Sequence, residues 1–118
     1  MQPESKKFLA DVLDSAIAIE TFTQGRELTD LTQNVLLRSA VYWQFAIIGE
    51  ALSQLRRLDS ATFERITDSW RIVGFRNQIL HGYQSIQDNV TWQIIQEKLP
   101  VLRGELALQR TFGLAITA

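Results

Sequence analysis

Residues 70–83 read WRIVGFRNQILHGY and contain the chain's single histidine, His81. Arg76, Asn77, His81 and Tyr83 fall within the second half of this stretch, with apolar residues between them. At about 100° per residue, Asn77 and His81 lie on one row of a helix, and Arg76 and Tyr83 lie on the neighbouring row. The stretch therefore predicts one helix that presents two adjacent polar rows, and these four side chains are the candidate site.

The end of this predicted helix favours a role in proton transfer. Gly82 directly after His81 is typical of a helix C-terminus. His81 would then lie in the last turn, where the helix dipole favours a protonated imidazole. On the residues alone, a structural interpretation stays open, with His81 as a helix cap and Tyr83 as a core or rim aromatic.

Apolar residues on both sides of this stretch recur at three-four spacing, which indicates amphipathic helices. The predicted helices cover residues 5–22, 33–57 and 90–110, and the longest of them, 33–57, is expected to be central. Pro100 is expected either to kink the last helix or to begin a new one. Residues 24–34 and 84–89 are predicted connections. Residues 58–68 are a short mixed segment in which Asp59 or Ser60 could cap one or two helical turns. The fold class is all-α, an up-and-down bundle of four to five helices in one domain over residues 1–118.

Glu50 follows Gly49 in the middle of the longest predicted helix. A glycine there costs about 1 kcal/mol relative to alanine, which is reasonable where another backbone approaches closely. Glu50 is either a solvated charge or a carboxylate that faces the polar rows around Arg76 and His81. The second interpretation makes it a supporting residue of the candidate site.

Composition narrows the classes of function. The 118 residues include no cysteine, so disulfides and thiolate metal sites are excluded, and one histidine makes a zinc site within one subunit unexpected. No cofactor is indicated. The net charge is -1, whereas proteins that coat nucleic acids without sequence preference are usually strongly basic. The polar N-terminus and the lack of an apolar run of about 20 residues lead us to expect a cytoplasmic protein without a membrane partner.

The residue types of the candidate site suit metal-independent cleavage of RNA. That reaction needs a base for the 2′-hydroxyl proton, an acid for the leaving 5′-oxygen, and positive charge on the phosphate. Histidine serves either proton-transfer role, and arginine forks onto phosphate oxygens. Because one histidine cannot be base and acid at once, the chemistry favours a two-fold homodimer that brings two copies of Arg76 and His81 to one cleft.

The pattern Arg76-Asn77-x-x-x-His81-x-Tyr83 resembles the Arg-x4-His-x-Tyr motif of HepT-like toxins in the HEPN superfamily. Residues 47–51 resemble the glycine-glutamate element of that family's long helix. Residues 70–75 resemble the lead-in to its motif, and 92–95 with 99–100 resemble its following helix. The similarity extends over roughly residues 8–106.

The resemblance implies a small helical bundle that dimerises with paired motifs facing a cleft. Active members of the family are metal-independent endoribonucleases, with transfer RNA among their targets. Their partner is an MntA-like minimal nucleotidyltransferase antitoxin, which adds AMP to the motif tyrosine. On this chain the resemblance implies that Arg76 and His81 are catalytic, that Asn77 is a polar helper and that Tyr83 is the AMPylation site. AMP on Tyr83 would bring bulk and negative charge into a phosphate-binding cleft.

The sequence is also compatible with two functions other than a toxin ribonuclease. One is a non-catalytic subunit that holds nucleotide or substrate for a partner nucleotidyltransferase, which would use the same scaffold and Tyr83. The other is an interaction bundle without a site, since fold alone does not settle function. Gln78 stands where many relatives are expected to carry arginine or a hydrophobic residue, so this cleft is expected to be less basic than theirs.

Overall fold

Seven α-helices, numbered in chain order, form the part of the chain that the structure describes. The structure is a computed structural model that describes residues 2–117, with the side chains of 2–82 and 84–108. The helices are α1 (Pro3–Thr23), α2 (Leu28–Gln33), α3 (Val35–Leu58), α4 (Ser60–Arg65), α5 (Ser69–His81), α6 (Asp88–Gln93) and α7 (Leu99–Thr117). No strand occurs between residues 2 and 117. The all-α prediction is confirmed.

The longest helix, α3, is at the centre of the bundle. It packs against α1, α5, α4 and α2, while α1 also packs against α7. The wide apolar stripe predicted for this helix is the reason, because a helix that is touched from several sides must be apolar over more than one face. Its fully or almost fully buried side chains include Val41, Phe45, Ile48, Leu52 and Leu55.

By length and composition alone, α3 could also cross a membrane, with 24 residues and a mean hydropathy of 1.2 over its most apolar window. A core helix passes the same test. In this fold the apolar side chains of α3 contact α1 and α5, and they form the middle of the hydrophobic core. Packing within the bundle therefore accounts for the buried part of this apolar surface, whereas Val35, Leu36 and Trp43 remain exposed.

Pro100 lies near the start of α7 without breaking the chain's last long helical region. Residues Ile94–Lys98 form a π-helical turn that joins α6 to α7, in which the N–H of Leu99 donates to the carbonyl of Ile94. Proline lacks an N–H and its ring displaces the carbonyl four residues earlier, so a wider turn just before it relieves the clash. Of the two alternatives predicted for Pro100, the structure has the second, since α7 begins at Leu99 with Pro100 in its first turn and the π-helical turn leads into it.

The predicted connection over residues 24–34 contains the short helix α2, which is a correction to its assignment as irregular. The N–H of Glu27 donates to the Asp30 carboxylate at 2.8 Å and stabilises its first turn. The next helix, α3, begins after Asn34, whose side-chain oxygen accepts a hydrogen bond from the N–H of Leu37 at 3.1 Å. Such short helices carry too few residues to show a periodicity.

A polar clamp joins α3 to the start of α6. The Asp88 carboxylate accepts hydrogen bonds from the Arg38 Nε at 3.2 Å and from the Tyr42 hydroxyl at 2.8 Å. The Tyr42 hydroxyl also lies 2.7 Å from the Thr91 Oγ1. The clamp holds the chain just after residues 82–87, the segment that links the candidate site to α6.

The clamp shifts the pKa of three of its members, and the hydrogen bond with Asp88 raises the pKa of Arg38. Burial disfavours the ionised Asp88 carboxyl, but the hydrogen bonds from Arg38 and Tyr42 outweigh it and hold the pKa of Asp88 below its usual 3.8. Burial raises the pKa of Tyr42 from 10.0 to about 12. The carboxylate therefore stabilises the fold above the unfolded pKa and loses this contribution as the pH falls through the folded one. The neutral Tyr42 stabilises the fold below pH 10 and loses its contribution as the pH rises to about 12.

Asp88→Asn is expected to lower the free energy of unfolding at neutral pH by about 1–3 kcal/mol, since it removes the charged partner of Arg38. Urea titrations at neutral pH and near pH 2.5 measure this, and the difference from wild type should shrink at the acidic pH. Asp14→Asn, an exposed carboxylate on α1, is the matched control. An equal loss at both pH values would contradict the pKa assignment.

Candidate active site

Helix α5 carries the predicted motif and ends at His81. The N–H of Gly82 donates to the Gln78 carbonyl at 2.8 Å and closes the last turn. A 3-10 turn over Tyr83–Ser85 follows. The Ser85 hydroxyl donates to the Gly82 carbonyl at 2.7 Å and accepts from the Gln78 side chain at 3.2 Å, which fixes the turn against the helix end. The predicted position of His81 in the last helical turn is confirmed.

The predicted polar row of Arg76 and Tyr83 does not exist as one helical row, because the helix ends before Tyr83. Gly82 has φ −144° and ψ 37°, outside the α-helical region, so the helix ends at this residue. The expectation that Tyr83 shares the helix face of Arg76 is corrected. The side chain of Tyr83 lies outside the described residues, so its orientation is not part of the site's geometry.

His81 and Asn77 are exposed on α5, four residues apart. They lie about 40° apart around the helix axis. Among the side chains of residues 2–82 and 84–108, neither has a hydrogen-bonding or ionic partner. Both groups are consequently open to a ligand or a second chain.

Arg76 has a contrasting environment, because its side chain is only 13% exposed and turns toward α3. Its Nη2 donates to the Ser53 Oγ at 2.7 Å and lies 3.1 Å from the Glu50 Oε2. Its Nε is buried and has no hydrogen-bond partner among the described residues. The packing of α5 on α3 therefore fixes the guanidinium.

Gly49 explains how Arg76 comes so close to α3. A Cβ at position 49 would overlap the Cβ and Cγ of Arg76. The predicted need for a close backbone approach at this glycine is met by a side chain of α5 that lies directly on the α3 backbone. Any larger residue would force the two helices apart at the point where Arg76 is held.

Glu50 is 57% exposed and contacts two groups. Its carboxylate pairs with Arg76, and its Oε1 accepts from the Gln54 side chain at 2.9 Å. Each of the two interpretations of Glu50 is partly confirmed, because the carboxylate faces Arg76 and is also solvated. No direct contact joins Glu50 to His81 among the described residues.

Ser53 contacts Arg76 but was not predicted from the sequence as a residue of the candidate site. It is 3% exposed and follows Gly49 by four residues, so it lies on the α3 face that α5 crosses. A buried serine is common in helices, and its side chain usually bonds to its own backbone. The sequence feature that could have indicated its role is its position one helical turn after Gly49, the glycine in the middle of α3.

The side chains of Arg76 and His81 lie on different faces of α5 within one chain. Five residues separate them, which corresponds to about 140° around the helix, and no contact between them occurs in the described part of the chain. One subunit therefore presents a held arginine and a free histidine that do not converge. Nor is there a group of three or more histidine, aspartate or glutamate side chains suited to a metal ion within residues 2–82 and 84–108.

An apolar groove of 370 Å³ adjoins Glu50, between α1, α3 and α5. Trp43, 66% exposed, and Leu80, half exposed, form part of its wall. Phe8 and Ile47 also line it. Exposed aromatic and aliphatic side chains grouped in this way are typical of interaction sites. The groove lies beside the site because Leu80 directly precedes His81.

The comparisons with known proteins bear on this arrangement. The family described as ribonuclease HepT-like matches residues 12–107. "Putative RNase MJ1380" of Methanocaldococcus jannaschii is 31% identical over 104 residues, which is 87% of this chain and 94% of that protein. "Probable ribonuclease HepT" of Thermococcus cleftensis is 27% identical over 108 residues, 89% of this chain and 94% of that protein. No solved structure gives a significant match.

Proposed function

The chain belongs to the HepT-like ribonuclease family, and from this premise we propose that it is a metal-independent endoribonuclease. Its active site would combine Arg76, Asn77 and His81 from two subunits. The substrate class is single-stranded or loop RNA, and transfer RNA is the first substrate to test. The observation that carries the proposal is that α5 presents an exposed His81, without a partner among the described side chains, and also an arginine whose guanidinium is held by α3.

The chemistry follows from these groups. His81 of one subunit takes the proton of the 2′-hydroxyl, and the 2′-oxygen forms a bond to phosphorus. The bond from phosphorus to the 5′-oxygen breaks, and His81 of the partner subunit gives that oxygen a proton. Arg76 pairs with the non-bridging oxygens, where negative charge builds up. The products are a 2′,3′-cyclic phosphate and a 5′-hydroxyl.

Two features support a homodimer. The divergence of Arg76 and His81 leaves a single chain without a complete site, and a two-fold axis near the end of α5 would supply the missing groups. Exposed Trp43 and Leu80 beside the site offer apolar area for such an interface. Light scattering measures the assembly: twice the mass of one chain supports the dimer, and a monomer at micromolar concentration overturns it.

The test of the ribonuclease is RNA cleavage in the presence of a metal chelator. Total transfer RNA is incubated with wild-type protein, and the product ends are analysed for cyclic phosphate and 5′-hydroxyl. Cleavage that survives the chelator and elutes with the protein in size-exclusion chromatography supports the proposal. Cleavage that the chelator abolishes, or none at all with Tyr83 shown by mass to be unmodified, rejects it.

We further propose that the protein is the toxin of a toxin-antitoxin pair and that an MntA-like nucleotidyltransferase neutralises it by AMPylation of Tyr83. What supports this is the family and the place of Tyr83, two residues after His81 in the turn that follows α5. AMP there would bring negative charge next to the phosphate site and repel RNA. Intact mass after incubation with the partner enzyme and ATP measures the modification. Tyr83→Phe should remain unmodified, and AMP on that variant would refute the site.

A further inference from the structure

Ser53 and Glu50 hold the same atom of Arg76 in different ways. Ser53 is a neutral acceptor that lies 2.7 Å from Nη2 and is only 3% exposed. Glu50 is a charged, largely exposed acceptor at 3.1 Å. A solvated carboxylate can be displaced by another anion, whereas a buried hydroxyl cannot easily be replaced. The contact of Arg76 with Ser53 is therefore expected to persist when an anion binds, whereas the contact with Glu50 can be exchanged.

The hydrogen-bonding capacity of the guanidinium shows which of its edges is left for a ligand. Arginine has five N–H donors in a rigid plane. Nη2 donates to Ser53 and forms an ion pair with Glu50, and Nε is buried. Nη1 has no partner among the described residues. The anchored Nη2 thus determines the direction in which Nη1 points.

We propose that Ser53 is a positioning residue that fixes the plane of the Arg76 guanidinium, while Glu50 is a counter-ion that RNA phosphate displaces. This inference rests on the proposed ribonuclease function. Ser53 does not neutralise the charge of Arg76, so the arginine keeps its full attraction for phosphate when Glu50 gives way. Folding of the protein already orients the Arg76 guanidinium, so no free energy is needed for its orientation when the substrate binds.

Steady-state cleavage by two variants separates these roles. Ser53→Ala should lower kcat about tenfold to a hundredfold with little change in KM, because the charge remains but its orientation is lost. Glu50→Gln should lower KM severalfold, because the competing negative charge is removed. Ser15→Ala, another buried serine on a helix, is the matched control and should leave both constants unchanged. Unchanged kcat in a folded Ser53→Ala protein would overturn the positioning role.

A second measurement does not depend on activity. Rotation about the Cζ–Nη bonds of Arg76, followed by 15N NMR, should be slow in wild type and faster in Ser53→Ala, but unaltered in Ser15→Ala. If wild type cleaves no RNA, the ribonuclease proposal fails while this experiment still decides whether Ser53 orients Arg76. If Ser53→Ala does not fold, Ser53→Cys keeps the shape of the side chain with a slightly larger and weaker acceptor and should show the same changes to a smaller extent. Equal rotation in wild type and the folded variant refutes the inference.

Discussion

Replacing His81 by alanine is expected to reduce RNA cleavage by at least about a thousandfold while leaving the fold and the proposed dimer intact. General acid-base catalysis contributes about 10²- to 10⁴-fold. In a homodimer the substitution removes both the base and the acid, so a value near the upper end is expected. The fold should be unaffected because the His81 side chain is exposed and has no partner in the described part of the chain. Single-turnover cleavage and thermal unfolding measure the two effects.

The control for this variant is Arg57→Ala, another exposed residue in the last turn of a helix, which should retain wild-type activity. Subunit mixing then tests the shared site. When wild-type and His81→Ala subunits are exchanged in equal amounts, about one quarter of the dimers carry two histidines. Activity near one quarter is expected, whereas activity near one half would show that each subunit works alone and would contradict the two-histidine cleft.

Gly49→Ala is expected to lower the free energy of unfolding by about 1–3 kcal/mol, the usual cost of overpacking, and to reduce cleavage more than tenfold. The new Cβ would overlap atoms of Arg76 that lie next to the α5 backbone. A flexible side-chain tip could move aside, but the Cβ and Cγ cannot move unless α5 shifts away from α3. That shift would also break the contact between Arg76 and Ser53. Denaturant titration and cleavage kinetics measure both losses.

Gly104→Ala is the matched control for Gly49. It lies within α7, and a Cβ there would meet no atom within 4 Å. Alanine favours a helix over glycine by about 0.5–1 kcal/mol, so this variant should be slightly more stable than wild type and equally active. If Gly49→Ala matched Gly104→Ala in both measurements, the close crossing of α3 and α5 would be wrong.

Much of the fold was predictable because the long helices carry a clear periodicity. The apolar stripe of α3 indicated a central helix, and Gly82 indicated the end of α5. The short helices α2 and α4 contain six residues each, fewer than two turns, so their sequence carries no usable period. The π-helical turn before Pro100 was not predictable either, since proline can be accommodated by a kink, a break or a widened turn.

The sequence by itself determined that this chain is a helical bundle, that His81 closes a helix and that Asn77 shares its row. These are local properties, set by residues within one or two turns of each other. Only the tertiary structure decided that Arg76 turns inward to Glu50 and Ser53 while His81 stays exposed. The physical reason is that those partners lie more than twenty residues earlier in the chain, and only the packing of α5 across Gly49 brings them within hydrogen-bonding distance.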